Sequence, residues 1–317
     1  MKHILTLTLN PAIDAAAEAE VVRPIRKIRT WGERYDPGGG GINVTRVVQE
    51  LGGKVRAVYL GGGITGAALE QMIRDSGIEA RRIPIVGHTR MSQTVHERSS
   101  GLEYRFVPQG PVLEQREWEA GLAALDEIDC EYLVASGSLP RGVPADFYVQ
   151  AADIAARKGA KFILDTSGEA LRRATERGVH LIKPSLGELE ELLGQELREA
   201  DDQERAVRSL IDRRAADIVA LTLGRDGALL GTRAGLCRLD GQKVKTVSAV
   251  GAGDSFLAAM TLALAQGRNP EDAFALAVAA GTAAVITAGT ELCRRADVER
   301  LYQTIKKRAP SAGLGSQ

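Results

Sequence analysis

The chain has 317 residues, with 41 basic and 41 acidic side chains and therefore no net formal charge, a balance that argues against a dedicated nucleic-acid binder. A content of 44% hydrophobic and 26% charged residues is that of an ordinary globular protein, and a chain of this length buries a core large enough to need no disulfide staples. Glycine is in excess: 35 of 317 residues, about 11% against an average of roughly 7%, and without the three-residue period of collagen.

The opening segment MKHILTLTLNPAID has a short, alternating apolar stretch ending at Asp14, which predicts a strand and no signal peptide. Residues from about 12 to 36 continue in alternation and predict strands that leave the main sheet. PGGGGINVTR, Pro37 to Arg46, follows. Its four glycines lead into an amphipathic helix with Ile42, Val47, Val48 and Leu51 on the apolar side, placing bare amides at a helix N-terminus suited to a polar or anionic ligand. KVRAVYL predicts the next strand, and a helix starts at about Thr65. Between them LGGGITG satisfies G-x-G-x-x-G at Gly61, Gly63 and Gly66, with Glu79 about twenty residues on. That is nominally a dinucleotide fingerprint, and an NAD-linked oxidoreductase is the alternative it supports. However, Glu79 begins a strand, whereas the ribose-binding acid ends one.

Residues from about 83 to 107 form a second alternating excursion with turns at Gly87 and Ser99-Ser100-Gly101. From there strands and helices alternate: YLVAS and a helix from about Ala145, KFILD and GEALRRA, HLIKP and LGELEELL, then DIVALTL. This rhythm predicts an α/β fold with a mainly parallel sheet, helices on both faces, and a small antiparallel β lid made by the two excursions. SAVGAGDSF, Ser248 to Phe256, opens two alanine-rich helices. Gly251, Ala252 and Gly253 can form an anion-binding nest at the helix start. A carboxylate at Asp254, inside such a nest, is either a helix cap or a base that takes a proton from a group attacking phosphate. Residues 310–317 are read as a disordered tail. No window approaches 18 apolar residues, so no membrane span is predicted. Cys130, Cys237 and Cys293 are scattered and odd in number, which fits buried thiols in a reducing, cytoplasmic compartment. The four histidines have no metal-ligand spacing, and the phosphate-loop, zincin and α/β-hydrolase motifs are absent from the sequence.

In order and at appropriate spacing, PGGGGINVTR, SGSLPRGVP, LIKPSLGELEEL and VGAGDSFLAAM resemble the ribokinase-like (pfkB) carbohydrate kinases, over residues 1–309 as one doubly wound domain. TLTLNPAID is similar to members acting on phosphorylated hexoses: minor-type 6-phosphofructokinase, 1-phosphofructokinase and tagatose-6-phosphate kinase. The GGGG run, the Lys27-x-Arg29 pair, and DTSGEAL with GTELC favour the first, whereas Asn10-Pro11 is closer to the second.

The resemblance implies Asp254 as general base and the amides of Gly251, Ala252 and Gly253 as the hole for the transferring phosphoryl. It implies Asp14, Gly39, Gly40 and Asn43 on the sugar hydroxyls. Arg90, Arg105 and Ser138 would hold the sugar phosphate, joined by Lys27 and Arg29 from a partner subunit's lid. Lys183, Ser185, Thr222, Gly224, Gly227 and Ser248 would line ATP, with Glu188 organising Mg²⁺. Ser185 replaces the usual asparagine of N-x-x-E. Ser248-Ala249 replaces Asp-Thr, which removes oxygen ligands and puts a monovalent-cation site in doubt. The implied reaction is ATP-dependent phosphorylation of a small sugar phosphate, most of all fructose 6-phosphate, under a lid that pairs in a homodimer.

Overall fold

The structure, a computed structural model, describes residues 3–308; the tail expectation for residues 310–317 lies outside them. The main sheet starts with β1 (Ile4–Thr8), whose five residues are all buried. It continues on one side through β4 (Val55–Gly62) and β5 (Ala80–Ile85). On the other side come β8 (Tyr132–Ser136), β9 (Lys161–Asp165), β10 (Val179–Ile182) and β11 (Ala216–Thr222), all parallel. An antiparallel hairpin, β12 (Gly227–Thr232) and β13 (Gly235–Asp240), closes the far edge.

The central strands lack polar alternation because both faces are covered. In β8, Leu133 and Ala135 join one apolar cluster while Tyr132 and Val134 join another on the opposite face. The first cluster receives α3 (Gln115–Glu127), α4 (Phe147–Arg157), α5 (Gly168–Arg177), α6 (Leu186–Leu193) and α7 (Ala200–Asp212). The second receives α1 (Gly40–Glu50), α8 (Ala252–Ala265), α9 (Pro270–Val285) and α10 (Arg295–Arg308). Helix α8 is buried from Ser255 to Ala265. Such an all-round apolar helix forms only inside a protein. The remaining helix, α2 (Gly63–Asp75), packs Leu69 and Ile73 against Ile42 and Tyr59.

The two excursions form a separate four-stranded sheet ordered β3 (Thr30–Gly38), β2 (Ala12–Ala19), β6 (Arg90–Glu97), β7 (Glu103–Phe106). Its outer pairs are antiparallel, and the central β2–β6 pair is parallel because the chain visits the main sheet between them. Residues 83–85, included in the expected excursion, belong instead to β5 on the main sheet. Cys293 is buried as expected, whereas Cys130 and Cys237 are only half-buried; all three are free thiols that burial pushes up in pKa.

Register separates the two lid faces, since residues paired across a ladder point the same way and alternate along each strand. The pairs Asp14–Asp36, Asp14–Ser92, Ala12–Arg90 and Thr94–Arg105 put Asp14, Arg90 and Arg105 on one face. Tyr35–Ala15, Ala15–Gln93, Gln93–Phe106 and Ile13–Met91 define the other, where Tyr35, Met91 and Phe106 are exposed.

Candidate active site

The chain runs outward from β1 through β4 to β5, then returns to build β8 to β11 on β1's other side. The carboxyl ends of strands at such a switch point are where open α/β sheets bind ligands. Here Ser136 ends β8, Asp165 ends β9, and Lys183 follows β10.

The glycine run of residues 38–41 is a packing requirement. A Cβ on Gly40 would stand 2.2 Å from Ser136 Oγ, and one on Gly41 would stand 2.5 Å from the Leu7 carbonyl oxygen. Gly38 abuts the Asp14 carboxylate, and Gly39, with φ of 101°, lies over Pro11 and Thr8. The backbone therefore threads between β1, β8 and the lid, and α1 begins facing their common cleft. Asn43, 5% exposed, donates from Nδ2 to Asp254 Oδ2 at 2.9 Å.

Asp254 is in the first turn of α8. The cap of that helix is Gly251, in the left-handed conformation at φ 71°, and no side chain caps it. The carboxylate that the sequence left between a cap and a base thus faces Asn43 across the cleft. The first-turn amides, Ala252 and Gly253 among them, have no intrahelical partner, as at any helix start. A Cβ on Gly253 would be 3.2 Å from Lys183 Nζ, so the lysine lies against this turn. Lys183 is buried and pairs with Asp165 Oδ1 at 3.1 Å.

This cluster has consistent electrostatics. Burial pushes the Asp254 carboxyl up to about 6; repulsion from Asp165 and Asp14 adds to it, while the Asn43 hydrogen bond and Lys183 oppose it. Burial also holds Asp165 above the usual carboxylate range despite Lys183. For Lys183 burial works against the charge, and Asp165, Glu188 and Asp254 outweigh it, so its pKa lies above the ordinary value. A carboxylate whose proton affinity approaches neutrality suits a general base.

On the lid face, burial raises the Asp14 carboxyl against Arg46, Arg90, Ser92 and Arg105. Arg90 donates to the Asn10 and Pro108 carbonyls at 3.0 and 2.9 Å, while its buried Nε has no partner. Arg105 is exposed, as is Ser138 just past β8. Lys27 and Arg29 lie exposed in the β2–β3 loop and form no ion pair among the described residues.

The positions implied for the nucleotide border the next strands. Ser185 bridges to Thr222, whose amide donates to the Pro184 carbonyl at 2.9 Å. Ser185 also caps α6, and Glu188 Oε2 accepts from the Ser185 amide at 2.7 Å, so this serine and glutamate form a capping box. Gly224, at φ 60°, faces open space, whereas Gly227, at φ 106°, backs onto the Leu239 carbonyl and serves the β12–β13 hairpin. Ser248 is buried with its Oγ 3.2 Å from Glu103 Oε1 of lid strand β7.

The dinucleotide alternative fails on packing. Gly62 donates its amide to Thr89 Oγ1 at 3.2 Å, and a Cβ on Gly63 would meet His88 Nδ1 at 2.2 Å. These glycines make a tight strand-to-helix turn against the β5–β6 connection, and Glu79 pairs at the surface with Arg56.

Residues 8–297 match the family model described as pfkB family carbohydrate kinase. The chain belongs to the pfkB carbohydrate kinases. Among similar pfkB members, the ATP-dependent 6-phosphofructokinase isozyme 2 of Mycobacterium tuberculosis is 45% identical over 95% of this chain and 89% of that protein. The 1-phosphofructokinase of Bacillus subtilis is 30% identical over 96% and 98%. The crystal structure of Escherichia coli phosphofructokinase-2 in complex with fructose-6-phosphate superposes with a TM-score of 0.91 at 36% identity, covering 96% of this chain and all of that one. A tetrameric inhibited form of the same E. coli enzyme also superposes at 0.91, with 36% identity and the same coverage. The pfkB assignment makes the protein a carbohydrate kinase with the ribokinase-like fold.

Asp165 and Arg46 are cluster members that the sequence reading did not assign to the site. Asp165 had one signal, a carboxylate ending a parallel strand. Arg46 stood inside the glycine motif one helical turn from Asn43, but its anchor, Asp36, is on a lid strand that spacing could not place beside it.

Proposed function

We propose that this kinase transfers the γ-phosphoryl group of ATP to the 1-hydroxyl of fructose 6-phosphate. The observation that carries the reading is the convergence of a raised carboxylate at a helix start, Asp254, with a lid face carrying Asp14, Arg90 and Arg105. The 45% identity to a 6-phosphofructokinase, against 30% to a 1-phosphofructokinase, favours fructose 6-phosphate over fructose 1-phosphate.

In this mechanism Asp14, Asn43 and the backbone at Gly39 and Gly40 hold the sugar hydroxyls, and Arg90, Arg105 and Ser138 receive its phosphate. Asp254 accepts the proton of the 1-hydroxyl as that oxygen bonds to the γ-phosphorus. The bond to the β,γ-bridging oxygen breaks, and its electron pair leaves with ADP. First-turn amides of α8 and the Lys183 ammonium face the charge on the transferring group. Thr222, Gly224, Ser185 and Ser248 border the nucleotide side.

For Mg²⁺ the carboxylates at hand are Glu188, whose Oε1 is left by the capping box, and Asp165 beside Lys183; no cluster of three or more metal-binding side chains occurs among the described residues. That set fits an ion held mostly by phosphates and water with one or two carboxylates. Bound there, Mg²⁺ would neutralise phosphate charge.

Coupled ADP release measured with fructose 6-phosphate, fructose 1-phosphate, tagatose 6-phosphate and unphosphorylated fructose tests the reading. The first gives the highest kcat/KM; equal turnover of unphosphorylated fructose contradicts it. Arg90→Ala raises KM for the phosphorylated sugar about 10- to 100-fold, the loss of a hydrogen bond to a charged group, and changes kcat little. An unchanged KM removes Arg90 from the phosphate site.

The exposed Tyr35, Met91 and Phe106 on the lid's outer face support a homodimer in which two lids cover each other, bringing Lys27 and Arg29 of the partner subunit to the sugar phosphate. Phe106→Asp yields monomers by light scattering and a raised sugar-phosphate KM; a dimer with normal KM places the contact elsewhere. Among the described residues no helix is long and apolar enough to cross a membrane, in keeping with the proposed cytoplasmic location.

A further inference from the structure

We propose that Asp36 and Arg46 are positioning residues that fix which end of the Asn43 amide meets the base, Asp254. The inference rests on the reading of Asp254 as the base and adds the means by which its hydrogen bond is set.

Asn43 can present to Asp254 either its NH₂, which favours the carboxylate, or its carbonyl oxygen, which tolerates only the protonated acid. Arg46 decides between them. It lies three residues along α1, its guanidinium can only donate, and its Nη1 is 3.4 Å from Asn43 Oδ1. The carbonyl end of the amide is therefore held toward Arg46, and the NH₂ end is left for Asp254 Oδ2 at 2.9 Å.

Arg46 is itself held from two sides. Nη1 donates to the Pro37 carbonyl at 3.0 Å and Nη2 to Asp36 Oδ1 at 3.0 Å. Asp36 is 7% exposed and also takes Arg34 at 2.6 Å and the Thr290 hydroxyl. Burial opposes its charge, but these partners hold its carboxyl below the usual range. Asp36 is on lid strand β3, directly across from Asp14. Thr290, in the segment between α9 and α10, ties this lid strand to the body of the protein. The chain of contacts thus runs from the lid through Asp36, Arg46 and Asn43 to Asp254, and neither Asp36 nor Arg46 needs to touch the reacting atoms.

Other charged groups acting on Asp254 come from different elements: Asp165 at the end of β9, Lys183 after β10 and Asp14 on β2. A double-mutant cycle separates an effect through Asn43 from a direct charge effect. The measurement is the acid limb of the pH profile of kcat/KM for wild type, Arg46→Gln, Asn43→Ala and the double variant. Asp36→Asn serves as a second, near-isosteric probe, and circular dichroism checks folding. Arg46→Gln and Asn43→Ala each move the limb upward by about 0.5 to 1 pH unit, and the double variant moves it no further than Asn43→Ala alone. Asp36→Asn moves it in the same direction, and Arg46→Lys, which keeps one donor, leaves the limb near its wild-type position.

Additive shifts in the double variant, no shift in folded Arg46→Gln and Asp36→Asn, or loss of activity at every pH in both overturns the proposal. Near-normal turnover of Asp254→Asn instead overturns the assignment of the base.

Discussion

Asp254→Asn lowers kcat by about 10² to 10⁴, the usual worth of a general base, or roughly 3 to 5 kcal/mol of barrier at about 1.36 kcal/mol per decade. ATP affinity stays within a few-fold, because the amides and Lys183 proposed to face the phosphates remain. The same substitution raises thermal stability at neutral pH. In the folded protein burial lifts the Asp254 carboxyl to about 6 from its ordinary 3.8, so the folded state binds more protons than the unfolded chain between those values. Stability linked to this group is fully present below about pH 4 and is lost as pH rises through about 6. Asparagine removes that loss and still accepts the Asn43 hydrogen bond through its carbonyl oxygen. The gain in melting temperature is therefore seen at pH 7 and vanishes near pH 4. Wild-type kcat/KM follows the opposite trend, falling as pH drops through about 6, where the base is protonated. A variant that is both active and no more stable would return Asp254 to the role of an ordinary first-turn acid.

Lys183→Met has the second large effect. The ammonium is buried against Asp165 at 3.1 Å, with the carboxylates of Glu188 and Asp254 also acting on it. Removing one member of such a pair leaves an uncompensated buried charge, at a cost of about 3 to 5 kcal/mol. Burial already raises Asp165, and without Lys183 its pKa rises further, so the protein relieves the loss by taking up a proton. The deficit against wild type, read from urea denaturation, is accordingly smallest at low pH and grows as pH rises. Adding Asp165→Asn removes the stranded charge and recovers most of the stability. It does not recover activity, since the cation beside the first turn of α8 is still missing. Rescue of both properties by the double variant would make the pair a purely structural one.

Legibility in the sequence follows from how local each cause is. The GGGG run and the glycines at positions 251 and 253 stood out in the sequence as bare amides for a ligand, whereas the reason the structure gives for Gly40 and Gly253 is close packing, against Ser136 and Lys183. The parallel sheet was readable from continuous apolar runs such as YLVAS, whose successive residues enter different cores. The β12–β13 hairpin was not, because its residues GALLGT and GLCRLD carry no period strong enough to separate them from a loop. Glu188 shows a different limit: the acid expected near Mg²⁺ occupies the third position of a helix whose cap is Ser185, and both uses leave the same letters in the sequence. Arg46 and Asp165 went unassigned because their partners, Asp36 with Asn43 in one case and Lys183 in the other, are joined by folding into one cleft. The role proposed for Lys27 and Arg29, exposed on the lid, rests on a second subunit, which no local pattern in the sequence reveals.

The most direct test is phosphorus NMR of purified protein with ATP, Mg²⁺ and fructose 6-phosphate. A new phosphomonoester at C1, formed in step with ADP and lost in Asp254→Asn, is the expected result. An absence of turnover with fructose 6-phosphate, together with phosphorylation of fructose 1-phosphate at C6, would contradict it.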